Sequence, residues 1–175
     1  MNVFVERLTR AVQPPRRQEV LPDWEEVENA LGFELPGDYK ELVDVYGPGS
    51  FDDFLSIFQP RHEVPRLDLL NSVAETAEQL EAYESSGETL PAPADRLLAV
   101  GLTDNGDTIY WVRDPLESPD EWRIAVNAAR DFDDWFLFDG CLSDFLAAVL
   151  SRELVVPTLA EDFPYPDKAP VYQPD

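Results

Sequence analysis

The sequence predicts an α+β fold in one domain: a mixed or antiparallel sheet of about five to six strands with helices packed on one side. Three observations carry this expectation. Apolar side chains recur at helical spacing between residues 23 and 46, and again near 141–150. Four short runs rich in aliphatic and aromatic residues follow one another between 96 and 138, with turn residues separating them. The chain has 175 residues, 44% of them hydrophobic and 11% aromatic, which is enough to build one buried core.

Each element has a local cause. Residues 3–12 place Phe4, Leu8 and Val12 in one line of a short helix, and the paired prolines Pro14 and Pro15 stop it. Asp23, with Glu26 three residues later, forms a capping-box start to a second helix. Trp24, Val27 and Leu31 face one way along it, and Gly32 ends it. In "ELPGDYKELVDVYGPGSF", Tyr39, Leu42, Val43 and Tyr46 share a face, Pro36 suits the first helical turn, and Gly47-Pro48 forbids continuation. Phe51 and residues 54–58 read as one strand entered through that Gly-Pro-Gly turn. Leu70, Val73, Ala77 and Leu80 predict a helix over 67–84, and residues 84–95 a loop. "RLLAVGLT", "DTIYWVR", "EWRIAVN" and "DWFLF" follow as strands, with Ile109 and Trp111 on one sheet face and Tyr110 and Val112 on the other. Asn105-Gly106 is a strong hairpin signal, because both residues tolerate the positive φ of a type I′ turn. Leu142, Phe145, Leu146 and Val149 mark the closing helix. Residues 1–21 then form an N-terminal helix and a proline–arginine linker, 22–152 the α+β domain, and 153–175 a proline-rich extension packing on or near it.

Thirteen basic residues against 36 acidic ones give a net charge of −23. Residues 1–17 carry Arg7, Arg10, Arg16 and Arg17 against Glu6, a net of +3, so the remainder carries −26. Such a field repels nucleic acid and anionic lipid and attracts basic proteins over about 8–10 Å in physiological salt; acidity also serves solubility alone. Neither nucleic acid nor a membrane is therefore an expected partner. The opening residues lack the apolar run of a signal peptide, and no stretch approaches the roughly 18 apolar residues of a membrane span, so a cytoplasmic location is expected.

The residue types for catalysis are sparse. Cys141 is the lone cysteine and His62 the lone histidine, so nucleophile–base pairs are restricted to these, and no cysteine-based zinc site is available. There is no nucleophile elbow or phosphate loop, and "DNGD" has its glycine too early for a calcium loop. No enzyme activity, metal or cofactor is expected. The aspartates cluster at turns, which turn chemistry explains without catalysis.

"WEEVENALGFELPGDYKELVDVYGPGSF", followed by "LLAVGLTDNGDTIYWV" and "FDDWFLFDGCLSDFLAAVL", resembles the SUKH superfamily over roughly residues 22–152. Trp24, Leu35, Pro36, Tyr39, Gly47, Phe145 and Leu146 carry the match as frame residues. The resemblance implies a non-catalytic binder, most often a bacterial immunity protein that neutralises a cognate toxin of a polymorphic toxin system. A scaffold of the cell-wall-assembly-regulator type is the alternative it implies. A toxin that cuts nucleic acid has a basic cleft, which an acidic protein can block. Alternate connections of a meander fall at one end of the sheet, so Asp104 and Asp107 should lie beside Asp133 and Asp134 as a partner-binding surface. Asp52 and Asp53 are second choices, their end of the sheet left open. "FPYPDKAPVYQP" either covers the core or presents a preformed extended ligand.

Overall fold

The computed structural model describes residues 1–16 and 20–175 of the chain. The centre of the proline–arginine linker, including Arg17, lies outside the described residues. Five helices, α1 (Val3–Ala11), α2 (Trp24–Leu31), α3 (Gly37–Tyr46), α4 (Leu69–Ser85) and α5 (Leu142–Leu150), combine with seven strands. These are β1 (Gly49–Phe51), β2 (Leu55–Ile57), β3 (Leu97–Thr103), β4 (Thr108–Val112), β5 (Arg123–Asn127), β6 (Trp135–Phe138) and β7 (Tyr172–Pro174). They form one sheet, antiparallel throughout, in the order β6-β5-β4-β3-β2-β1-β7. The α+β class holds, with seven strands where five or six are expected.

Both added strands have a physical origin. The run at 51–58 is a hairpin rather than one strand, because Asp52 and Asp53 both adopt left-handed backbone, with φ of 52° and 51°. That geometry reverses the chain in a two-residue turn, and the Phe54 N–H donates to the Phe51 carbonyl at 3.0 Å. The last residues of the proline-rich extension pair with β1 as β7. Tyr172 stacks edge-on against Phe51 and Tyr46, at 4.9 and 5.0 Å, and Phe163 packs on Phe54 at 4.8 Å. Gly49, at φ 151°, permits this pairing, since a Cβ there would lie 2.4 Å from the Gln173 carbonyl oxygen.

The helices divide between the two sheet faces rather than sharing one. Trp111 projects toward α3, its ring 5.0 Å from that of Tyr39, while Phe138, opposite Ile124 on the same face, meets Phe145 of α5 at 5.6 Å. The next residue, Tyr110, points the other way, toward Trp135 at 5.5 Å. Phe132 bridges Trp135 to Tyr83 of α4. Helix α4 therefore lies across the second face, and β3 and β4 are buried almost throughout. The alternation of Ile109 and Trp111 against Tyr110 and Val112 is as the sequence implies.

Helix α5 is apolar all round and, apart from Asp144, buried over its whole length, so it is the central pillar of the core. It has no capping side chain of its own. Asp38 of α3 supplies one, accepting the Ser143 N–H at 2.8 Å while 3% exposed. Helix α1 packs along α5 through Val5, Leu8 and Val12; Phe4, expected on this face, is 37% exposed. Arg7 pairs with Asp144 and Glu153 at 2.6 and 2.5 Å, so one of the few cations is engaged by the chain's own carboxylates at the surface.

Candidate partner-binding surface

The frame residues meet in the core. Tyr39 is fully buried, and its hydroxyl donates to the Phe58 carbonyl at 2.7 Å. Burial raises its pKa well above the ordinary phenol value, so it is a packing and hydrogen-bonding residue. Trp24 packs on Tyr39 at 5.7 Å and donates its indole N–H to Asp44. Leu35, Phe145 and Leu146 are buried. Pro36 sits at the N-cap of α3 rather than inside its first turn, and Gly47, at φ 72°, ends the helix.

Neither candidate for nucleophilic chemistry is set up for it. The Cys141 thiol is pushed up to about 12, chiefly by burial and then by the nearby Asp38 carboxylate. His62 has both ring nitrogens engaged. Val64 N–H donates to Nδ1 at 3.0 Å, so Nε2 carries the proton and donates to Asp175 at 2.7 Å. His62 borders a cavity of about 630 Å³ whose lining mixes the apolar Val20, Leu21 and Val64 with the charged Arg61, Glu63 and Asp175. Among the described residues, no three His, Cys, Asp or Glu side chains converge as a metal site requires.

The turn aspartates divide into two kinds. Asp107 is 4% exposed, and its carboxylate accepts from the Thr103 hydroxyl at 2.7 Å and from Ala129 N–H at 3.0 Å. Asp52 is 1% exposed and accepts from Tyr165 N–H and Val171 N–H, fastening the C-terminal extension. These two are internal ties, not surface charges: each satisfies backbone donors that the turns leave unpaired. Asp134 is half-buried and paired with Arg130 at 3.1 Å. Asp53, Asp104 and Asp133 are exposed, as is Asp131, whose side chain accepts the Asp133 N–H.

These carboxylates gather at one end of the sheet. The Asp107–Ala129 bond ties the β3–β4 hairpin to the β5–β6 loop. The Asp104 N–H donates to the Phe54 carbonyl at 2.9 Å, which brings the Asp52-Asp53 turn to the same end. Between the two loops lies a cleft of about 320 Å³ lined by Asn105, Asp107, Ala129, Arg130, Thr158 and Ala160. Thr158 is 2% exposed, and its hydroxyl has no partner among the described residues. The exposed Glu161 and Asp162 follow directly on Ala160, which lines this cleft. The sequence gives no sign that the extension reaches the cleft, because that depends on how it folds back. The acidic connection between β4 and β5, with Asp114, Glu117, Asp120 and Glu121, lies at the opposite end of these strands, and Asp120 accepts the Gly37 N–H at 2.7 Å to cap α3.

No helix among the described residues is long and apolar enough to cross a membrane. No curated protein and no solved structure matches the chain. A family profile described as SUKH_6, SMI1-KNR4 cell-wall, matches residues 22–146, which span α2 through the first half of α5 and so include both cross-tied turns. By that match over most of its length, the chain belongs to the SUKH superfamily, in the SMI1-KNR4 branch.

Proposed function

We propose that this protein is a non-catalytic binder, and specifically an immunity protein that neutralises one cognate, basic bacterial toxin. The observation that carries the reading is the set of exposed carboxylates, Asp53, Asp104, Asp131 and Asp133, held at one end of the sheet on a chain of net charge −23. Their spacing is fixed by the buried ties of Asp52 and Asp107, so little side-chain or loop entropy remains to be lost when a partner docks. A nuclease toxin fits this surface well, since the lysines and arginines that hold its substrate's phosphates accept carboxylates in their place. Family membership supports a binding role and leaves the partner open. The cell-wall wording of the family description favours a second reading, a regulatory scaffold that recruits a cellular partner through its acidic end. Its version in which the proline-rich extension is the ligand loses ground, because that segment is paired with β1 and packed through Phe163 and Tyr172.

Co-expression tests the proposal. Cells producing the toxin domain encoded beside this gene should survive when this protein is present and die when it is not. Survival regardless of the protein, or death despite it at equal expression, contradicts the reading.

A further inference from the structure

The two edges of the sheet are treated differently. Strand β7 closes one edge, and it is short, polar and carries Pro174, all features that discourage a further strand from adding. Strand β6 closes the other with the sequence Trp-Phe-Leu-Phe and no proline. Its pairing with β5 sets which backbone groups are used. Ala128 N–H donates to the Asp134 carbonyl, so in this register Phe136 and Phe138 bond to β5, while Trp135 and Leu137 turn their N–H and C=O groups outward. No described residue hydrogen-bonds those outward groups, and Leu137 is 58% exposed.

The charge around this edge selects what can pair with it. Residues 130–139 hold Asp131, Asp133, Asp134 and Asp139 against Arg130 alone, and Arg130 is engaged with Asp134 and the Pro157 carbonyl. Arg123 precedes Ile124, the β5 residue paired with Phe138, and is a further cation near this edge. A second copy pairing antiparallel through Trp135 and Leu137 would set Asp133 opposite the other copy's Asp139, on two bodies that each carry −23. A strand flanked by lysine or arginine meets the opposite situation, with aspartates at both ends and an apolar strip between.

We infer that β6 is a docking edge that takes a β-strand of a basic partner protein, extending the seven-stranded sheet by one. This rests on the binding function proposed above and names how the partner engages. Main-chain bonds to Trp135 and Leu137 would supply the grip, Leu137 the apolar contact, and Asp133 and Asp139 the choice of partner. The acidic end described above is continuous with this edge through the 130–134 loop, so one partner can reach both.

The test is residue-resolved amide exchange of the full chain, alone and with the purified toxin domain encoded beside the gene. A complex in which the Trp135 and Leu137 amides become protected supports the inference, as does at least a tenfold loss of affinity in Leu137→Pro. That variant removes an outward N–H and leaves the β5 ladder intact. A complex whose Trp135 and Leu137 amides exchange as in the free protein overturns the edge and leaves the proposed function standing. If no complex forms, the proposed function fails, and a synthetic peptide, Lys-Lys-Thr-Val-Thr-Val-Lys-Lys, decides the edge alone. Protection of the two amides by this peptide, and not by its glutamate-flanked counterpart, supports it; no difference between the two overturns it. Protection that grows with protein concentration alone, with a dimer in sedimentation equilibrium, also overturns it, in favour of a second copy.

Discussion

Single aspartates in this protein do opposite jobs a few residues apart. Asp107→Ala leaves the Ala129 N–H and the Thr103 hydroxyl without their acceptor, and a buried unpaired donor costs about 1–3 kcal/mol. Asp52→Ala releases Tyr165 and Val171 in the same way. Each should lower Tm, by about 2–4 °C per kcal/mol lost, in a thermal melt. Lysine at Asp104 or Asp133 should leave Tm nearly unchanged, because these side chains are exposed, whereas lysine at Asp53, which sits at φ 51°, would also strain the β1–β2 turn. Sequence places all of these aspartates in turns and cannot separate the two kinds. Asp107 and Asp104 flank the same Asn-Gly pair, and only the return of Ala129 to the hairpin makes one of them an internal acceptor. Cys141 gives a second check at this scale. With its thiol pushed up to about 12, little thiolate exists at pH 8, and the fraction grows as pH rises toward that value. Alkylation by iodoacetamide at pH 8 should therefore be about a hundredfold or more slower in the native protein than in the unfolded chain. Native rates equal to unfolded ones would mean that the thiol is accessible and activated.

At the level of elements, the helices and the four central strands are legible because their causes are local. Asp23 caps α2, Gly32 at φ 84° ends it, and the 97–138 runs alternate as half-buried or fully buried strands do. The β1–β2 hairpin is not legible, because Asp52-Asp53 is a weaker left-handed signal than Asn-Gly and sits inside an apolar run. Strand β7 is hidden for a different reason: its composition reads as extended chain, and its partner β1 lies more than a hundred residues earlier. That pairing makes a prediction. Removing residues 157–175 uncovers Phe51 and Tyr46 and deletes the donors held by Asp52, so Tm should fall by about 5 °C or more in a thermal melt. Unchanged Tm in the truncated protein would mean that the extension only rests on the body. That the β3–β4 and β5–β6 turns share one end of the sheet is legible from meander topology, whereas the Asp52-Asp53 turn is placed there only by the β2–β3 pairing. Which turn aspartates remain charged and free there is not legible, since that depends on long-range backbone donors.

For the whole molecule, the governing quantity is the net charge of −23, part of which is held as exposed carboxylates where three turns converge. A field of this kind accelerates encounter with a basic partner and is screened by salt, whereas packed contacts mainly set dissociation. The fold contributes rigidity: α5 capped by Asp38, α1 locked to it by Arg7, and the C-terminal extension sewn into the sheet. Binding of the basic toxin partner proposed above, followed as association rate against ionic strength, tests the central claim most directly. Wild-type protein should associate about tenfold or more slowly as salt rises from about 20 to 200 mM. The Asp104→Lys, Asp133→Lys double variant should start slower and show a flattened salt dependence, with its melt unchanged. A double variant that folds normally and matches the wild type in rate and salt dependence would contradict the account.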